Sequence, residues 1–143
     1  MRRFWAKLWW ILLPVGMILG LGPRTACASQ ADDFKGSIVS AIQLEEGVVG
    51  GGLLSEKGIG IAAKKGYRTV IDLRTPEEGT AGEKLLVEKY GLRYVNIPVT
   101  TPTVSQAKEL KVILLQDGAK PAILHCRSGR RVKALWAIYK KLR

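Results

Sequence analysis

Ala122-Ile123-Leu124-His125-Cys126-Arg127-Ser128-Gly129-Arg130-Arg131 is the stretch that decides how this chain folds. Pro121 leads into a short apolar run, 122–125, bounded by turn residues, which is the mark of a buried strand. From Gly129 to Lys141 the apolar residues Leu135, Ile138 and Leu142 recur at helical spacing, so a helix with one buried face follows at once. The segment between them is a strand-to-helix loop. Such a loop turns backbone N–H groups inward, at the end of a helix whose dipole favours negative charge. The same field favours the thiolate of Cys126 over the thiol. Gly129 supplies the φ freedom that a tight curl needs. Arg131 can return over the loop and grip two oxygens of a tetrahedral anion. Arg127, Ser128, Gly129 and Arg130 complete the candidate anion-binding loop, and Arg127 and Arg130 can face either solvent or substrate. His125, the sole histidine, is expected to hydrogen-bond within the loop and orient the thiolate.

Working outward, the rest of the chain repeats the strand-then-helix pattern. Glu46 to Leu54 is a short strand running into a glycine-rich turn at Gly50 to Gly52. These glycines lack the spacing of a nucleotide loop, so a tight turn is expected. Ser55 is placed to cap a helix reaching about Lys65, with Glu56 in its first turn. Tyr67 to Leu73 is a second buried strand, and a loop through Pro76 and Gly79 follows. A helix from about Gly82 to Tyr90, a strand from Leu92 to Val99, a loop at 100–103 and a helix from Val104 to Gln116 complete the order. Strands alternating with helices predict an α/β domain with a mostly parallel central sheet flanked by helices. Ligands in such sheets bind beyond the carboxyl ends of the strands, where Cys126 stands.

The N-terminus reads as a targeting segment. Arg2, Arg3 and Lys7 precede an apolar stretch from Leu8 to Gly22, and Ala26-Cys27-Ala28 has the small-x-small form of a signal-peptidase site. Residues 1–28 are therefore a signal peptide cut after Ala28, with Ala31 as a second choice. The alternative is an uncleaved membrane anchor, against which the apolar run is short. Residues 29–45 are a lead-in segment and 46–143 the domain proper. The expected location is the bacterial periplasm or the exterior. Cleavage removes Cys27 and leaves Cys126 unpaired in an oxidising compartment, where a free thiol is either buried or used.

The chain carries a net charge of +11. Removing the leader's basic residues Arg2, Arg3, Lys7 and Arg24 leaves about +7, which favours anionic partners. No aromatic-rich recognition segment accompanies that charge, so specific nucleic-acid binding is not expected. With 47% apolar residues there is enough for a core, and the length suits one domain.

His125-Cys126-Arg127-Ser128-Gly129-Arg130-Arg131, with T-V-I-D-L-R (69–74), Y-V-N-I-P-V (94–99) and A-L-W-A-I-Y (134–139), resembles the dual-specificity-like cysteine phosphatases. The likeness is to the bacterial group that includes phosphatase-like domains attached to beta-lactamase-like hydrolases. It implies a three-layer domain and a phosphorylated substrate, phosphotyrosine or a small molecule. It also implies a phosphocysteine on Cys126 and no metal or cofactor. The chain departs from the pattern in three ways. Val132 stands where the common loop has its arginine, so Arg131 closes a shorter loop. The hydroxyl residue that often follows the arginine is missing, with Ser128 as a stand-in. The aspartate usual after the strand at 94–99 is replaced by Thr100-Thr101-Pro102-Thr103, which leaves Asp72, Glu77 or Glu78 as candidate general acids. The runner-up is a rhodanese-like sulfurtransferase carrying a persulfide on Cys126, supported by the loop length and by D-L-R-T-P-E-E (72–78). A non-catalytic anion-binding module is the third reading.

Overall fold

The computed structural model describes residues 29–143. The signal peptide expected at 1–28 therefore lies outside the described residues. A short 3-10 helix, Gln30–Phe34, opens the chain. It is followed by β1 (Ile42–Glu45), β2 (Val48–Gly51), α1 (Glu56–Lys64), β3 (Thr69–Asp72), a 3-10 turn at Pro76–Glu78, α2 (Thr80–Lys89), β4 (Arg93–Asn96), α3 (Val104–Leu115), β5 (Ala122–His125) and α4 (Arg130–Lys141).

The sheet runs β1-β2-β5-β3-β4. β1 is antiparallel to β2, and every other pairing is parallel. β5 lies in the middle, with His125 paired to Gly51 on one side and to Asp72 on the other. Three strands thus end together, and Cys126 leaves the sheet at the centre of its carboxyl edge. Alternation along each strand divides the core into two faces. Ile71, Leu73, Leu124 and Cys126 pack with α3 and α4, including Leu110, Leu135, Trp136 and Tyr139. Val70 and Ile123 point the other way, onto Ile59 and Ala62 of α1 and Val87 of α2. This is the three-layer α/β architecture expected.

Local caps account for where the helices begin. The Ser55 hydroxyl accepts the Gly58 N–H at 3.1 Å, as its place before α1 predicts. Thr103 and Gln106 form a capping box before α3. On α4, Val132, Leu135, Trp136 and Tyr139 are buried, while Ile138 and Leu142 are only partly covered.

Two expectations are corrected. The lead-in segment contains a strand, β1, whose burial shows no clean alternation and so leaves no period-2 signal. Gly50 and Gly51 are not in a turn but inside β2. A Cβ on Gly50 would lie 2.6 Å from Leu44 Cδ1, and one on Gly51 would lie 2.9 Å from the Val39 carbonyl oxygen. The glycines are required by close approach of neighbouring chain, not by a bend.

Candidate active site

The loop is built against β2 as much as between β5 and α4. Cys126 N–H donates to the Gly51 carbonyl at 3.1 Å, and Leu53 N–H donates to the Arg127 carbonyl at 3.1 Å. Gly52 bridges to Ser128. A Cβ on Gly52 would stand 2.8 Å from the Arg127 oxygen, so bare backbone at 52 lets the loop lie this close. Gly129 has φ +84°, the left-handed conformation its place in the curl predicts. Its N–H donates to the Cys126 sulfur at 3.1 Å. The sulfur is buried at the first turn of α4, where the N–H groups of Arg130 and Arg131 have no intrahelical acceptor.

Arg131 is the second element of the cup. Its Nη1 and Nη2 donate to the two carboxylate oxygens of Glu78, each at 2.7 Å, and Nη1 also donates to the Val99 carbonyl at 2.9 Å. These contacts engage the outer edge of the guanidinium. A guanidinium has five N–H donors, and the Nε/Nη2 edge remains for two oxygens of an anion. Glu78 first, and Cys126 beside it, hold Arg131 in its charged form. In return, the hydrogen bond from Arg131, followed by that from Thr75, holds the Glu78 carboxyl down at about 2. Arg127, Ser128, Arg130 and Lys133 are exposed around the mouth.

The structure separates other expected site residues from the cup. His125 and Asp72 are register partners, and alternation sends both to the α1/α2 face, away from the cysteine. His125 makes no hydrogen bond within the loop. Its Nε2 lies 2.5 Å from Glu83 Oε1, off the line of a good hydrogen bond. The orienting role expected of it is therefore corrected: it braces the strand end against α2. Asp72 is fully buried, accepting from Arg74 Nε at 3.0 Å and Nη2 at 2.7 Å and from the Tyr94 hydroxyl at 2.9 Å. Burial alone would raise its carboxyl, but the hydrogen bonds of Arg74, the proximity of His125 and the Tyr94 hydroxyl carry it below its ordinary value. A carboxyl held ionised behind the sheet does not serve as a general acid for the cup. Glu78, clamped on Arg131, does not serve as one either.

Asp72, Glu83 and His125 bring three potential metal-ligating atoms within 4.8 Å of one another. The Arg74 guanidinium already bridges the two carboxylates, reaching Glu83 Oε2 at 2.5 Å, and supplies the positive charge they need. Glu83 escaped sequence reading because it meets Arg74 and His125 only in the folded chain, while Arg74 pairs with Asp72 two residues away. The one available signal was the Asp-x-Arg spacing at the end of β3.

Comparison of the sequence with curated proteins returns no match. Among solved structures, a DUF442 protein from Shewanella putrefaciens CN-32, described as a candidate phosphatase, superposes with a TM-score of 0.67 at 26% identity, over 76% of this chain and 74% of that one. A candidate phosphatase from Neisseria meningitidis Z2491 gives 0.57 at 20% identity, over 66% and 72%. The core catalytic domain of the PP-IP phosphatase SIW14 from S. cerevisiae gives 0.63 at 14% identity, over 73% and 67%, a likeness of fold. Of the readings weighed, these fall on the phosphatase side rather than the sulfurtransferase side. Residues 31–142 match the family described as a DSP-PTPase phosphatase fused to NAD+ kinase, and the chain belongs to that dual-specificity-type phosphatase family.

Proposed function

We propose that this protein is an exported phosphomonoesterase that works through a phosphocysteine on Cys126. The observation that carries the reading is the Gly129 N–H on the Cys126 sulfur at 3.1 Å, at the start of α4, with Arg131 held beside it. The thiolate attacks phosphorus while the bond to the leaving oxygen breaks. The loop amides and the free edge of Arg131 take the equatorial oxygens, whose charge grows in the transition state. Water then attacks the phosphocysteine, which releases phosphate and restores the thiolate.

Glu78 acts as a positioning residue, fixing Arg131 before substrate arrives. With Asp72 and Glu78 held ionised, and Glu77 also drawn below its ordinary value by its own backbone N–H and the Thr75 hydroxyl, the leaving oxygen takes its proton from water. The rate therefore depends steeply on the leaving group, and aryl phosphates are favoured over alkyl ones by a factor of order 10²–10⁴. Export rests on the leader, and Ser29, the first residue after the expected cut, already caps the 3-10 helix by accepting the Ala31 N–H at 3.3 Å.

The test is p-nitrophenyl phosphate hydrolysis under reducing conditions beside cyanide-dependent thiosulfate sulfurtransfer, with Cys126→Ser as control. Phosphate release lost in the variant supports the proposal. Thiocyanate formation without phosphate release overturns it, and a folded protein with neither activity returns the anion-binding module.

A further inference from the structure

On the face that α3 and α4 cover, the sheet is wider than its cover. A Cβ on Gly50 would lie 2.8 Å from Val132 Cγ1, so α4 rests against β2, and β1 lies beyond it at the edge of the sheet. Between α4 and β1 runs an open groove of about 480 Å³, with Ile42, Leu44, Trp136 and Ala137 as its apolar lining. We infer that this groove is a docking site for an acidic amphipathic helix of a partner protein. The inference stands apart from the phosphatase reading. The groove starts about one helical turn past the loop, at Lys133, and follows α4 away from it.

Shape selects the occupant first. Packed helices lie about 8–10 Å apart, so a third helix beside α4 would run along β1 and extend the layer. Ile42 and Leu44, two residues apart on a strand, point to the same face, and both stay half-buried because α4 stops short of them. An amphipathic helix that lays one apolar stripe into such a groove is a recurrent mode of recognition. A bilayer fits less well. It takes up apolar side chains that project, whereas Trp136 is 6% exposed and lies in the floor.

Charge selects it further. Lys133, Lys140 and Lys141 stand exposed along the rim, and none is in an ion pair among the described residues. α4 itself carries no acid. Glu45, the one acid on β1, already pairs with Lys120 and Arg143. Cations in a row beside an apolar trough complement glutamates or aspartates flanking an apolar stripe, and they repel a basic helix. The same rule counts against this chain as its own partner. The leader holds Arg2, Arg3, Lys7 and Arg24 and no acid, and a second copy brings the same positive surplus.

The probe is a fluorescent synthetic peptide of about four helical turns, with leucines on one stripe and glutamates on both flanks. Its controls are the same peptide with lysine for glutamate, and one with the leucines scattered around the helix. Anisotropy against the protein should show the glutamate peptide binding about 100-fold tighter than the lysine one, and about tenfold tighter than the scattered one. Lys140→Glu together with Lys141→Glu should weaken it about tenfold. Ala137→Glu, at an exposed position of α4, should weaken it by about as much, because it sets a charge in the trough. Thermal unfolding checks that both variants stay folded, and the exposed lysine pair decides the matter if Ala137→Glu does not. Equal binding of the glutamate and lysine peptides, binding of neither, or binding unmoved by the lysine pair overturns the inference. Binding to phosphatidylglycerol vesicles in place of the peptide also overturns it and gives the surface to a membrane. Dimerisation of the protein that Ala137→Glu abolishes overturns it as well and gives the groove to a second copy.

Discussion

Replacing Gly52 by alanine tests whether the glycine triplet exists to seat the catalytic loop. The new Cβ would lie 2.8 Å from the Arg127 oxygen, 2.9 Å from Val39 Cβ and 3.1 Å from the Ser128 carbonyl carbon. Backbone on one side and a branched side chain on the other leave no flexible atom to move aside. The loop must therefore retreat by roughly half an ångström to reach ordinary contact distance. Overpacking of this kind costs about 1–3 kcal/mol. A displacement of that size at the nucleophile should lower kcat/KM about tenfold, since misplacement by a full ångström can cost 10²-fold. The assay pairs thermal unfolding with p-nitrophenyl phosphate hydrolysis and the alkylation rate of Cys126 by iodoacetate. Gly82→Ala is the control, because it lies inside α2 with nothing within 4 Å of the added carbon. It should gain roughly 0.5–1 kcal/mol and leave activity alone. If Gly52→Ala keeps both the stability and the kcat/KM of the parent, the loop does not depend on bare backbone at 52.

Glu78→Gln should lower kcat/KM roughly 10–100-fold, mostly in kcat, because Arg131 keeps the Val99 carbonyl but loses its charged partner. Steady-state kinetics on an aryl phosphate checks this, and an unchanged kcat would refute the positioning role. Asp72→Asn should destabilise by about 3 kcal/mol in urea, since it strips a buried guanidinium of one partner. Were Asp72 the proton donor, the variant would instead keep its stability and lose activity selectively on alkyl phosphates. Acid should unfold the protein through the same carboxyls. Both Asp72 and Glu78 are lower in the folded chain than in the unfolded one, so the unfolded chain takes up protons first. Their contribution is complete above about pH 4.5 and drains away as pH falls toward 2, which circular dichroism against pH will show. Mass spectrometry of the protein made in a bacterial host should find Ser29 at the N-terminus, and an intact leader would refute cleavage after Ala28.

Much of the architecture was legible along the chain because its signals are local. Ala122 to His125 is continuous apolar sequence between turn residues and is β5 as read. Ser55 sits before α1, Gly129 takes the positive φ its position demands, and the alternation of elements implies parallel strands. The pairing of Cys126 with Arg131 fell out of the same reasoning, since thiol and guanidinium are neighbours on one loop. The Cys126–Arg131 spacing, the helix start and the apolar strand before it are all properties of a dozen consecutive residues.

What the local signals could not carry was partnership between distant residues. Glu78 looks like any loop carboxylate until the fold sets it 53 positions away against Arg131. Asp72 looked free to act as an acid until register with His125 turned it to the opposite face, onto Arg74 and Tyr94. Gly50 to Gly52 read as a turn because only the packed structure shows which atoms a side chain there would strike. Sequence by itself determined the class of fold, the candidate nucleophile and the loop, for these depend on short-range periodicity and backbone preference. Tertiary structure alone decided which charges are paired and which edge of Arg131 is free, because electrostatic pairing and steric contact are settled by distance in space.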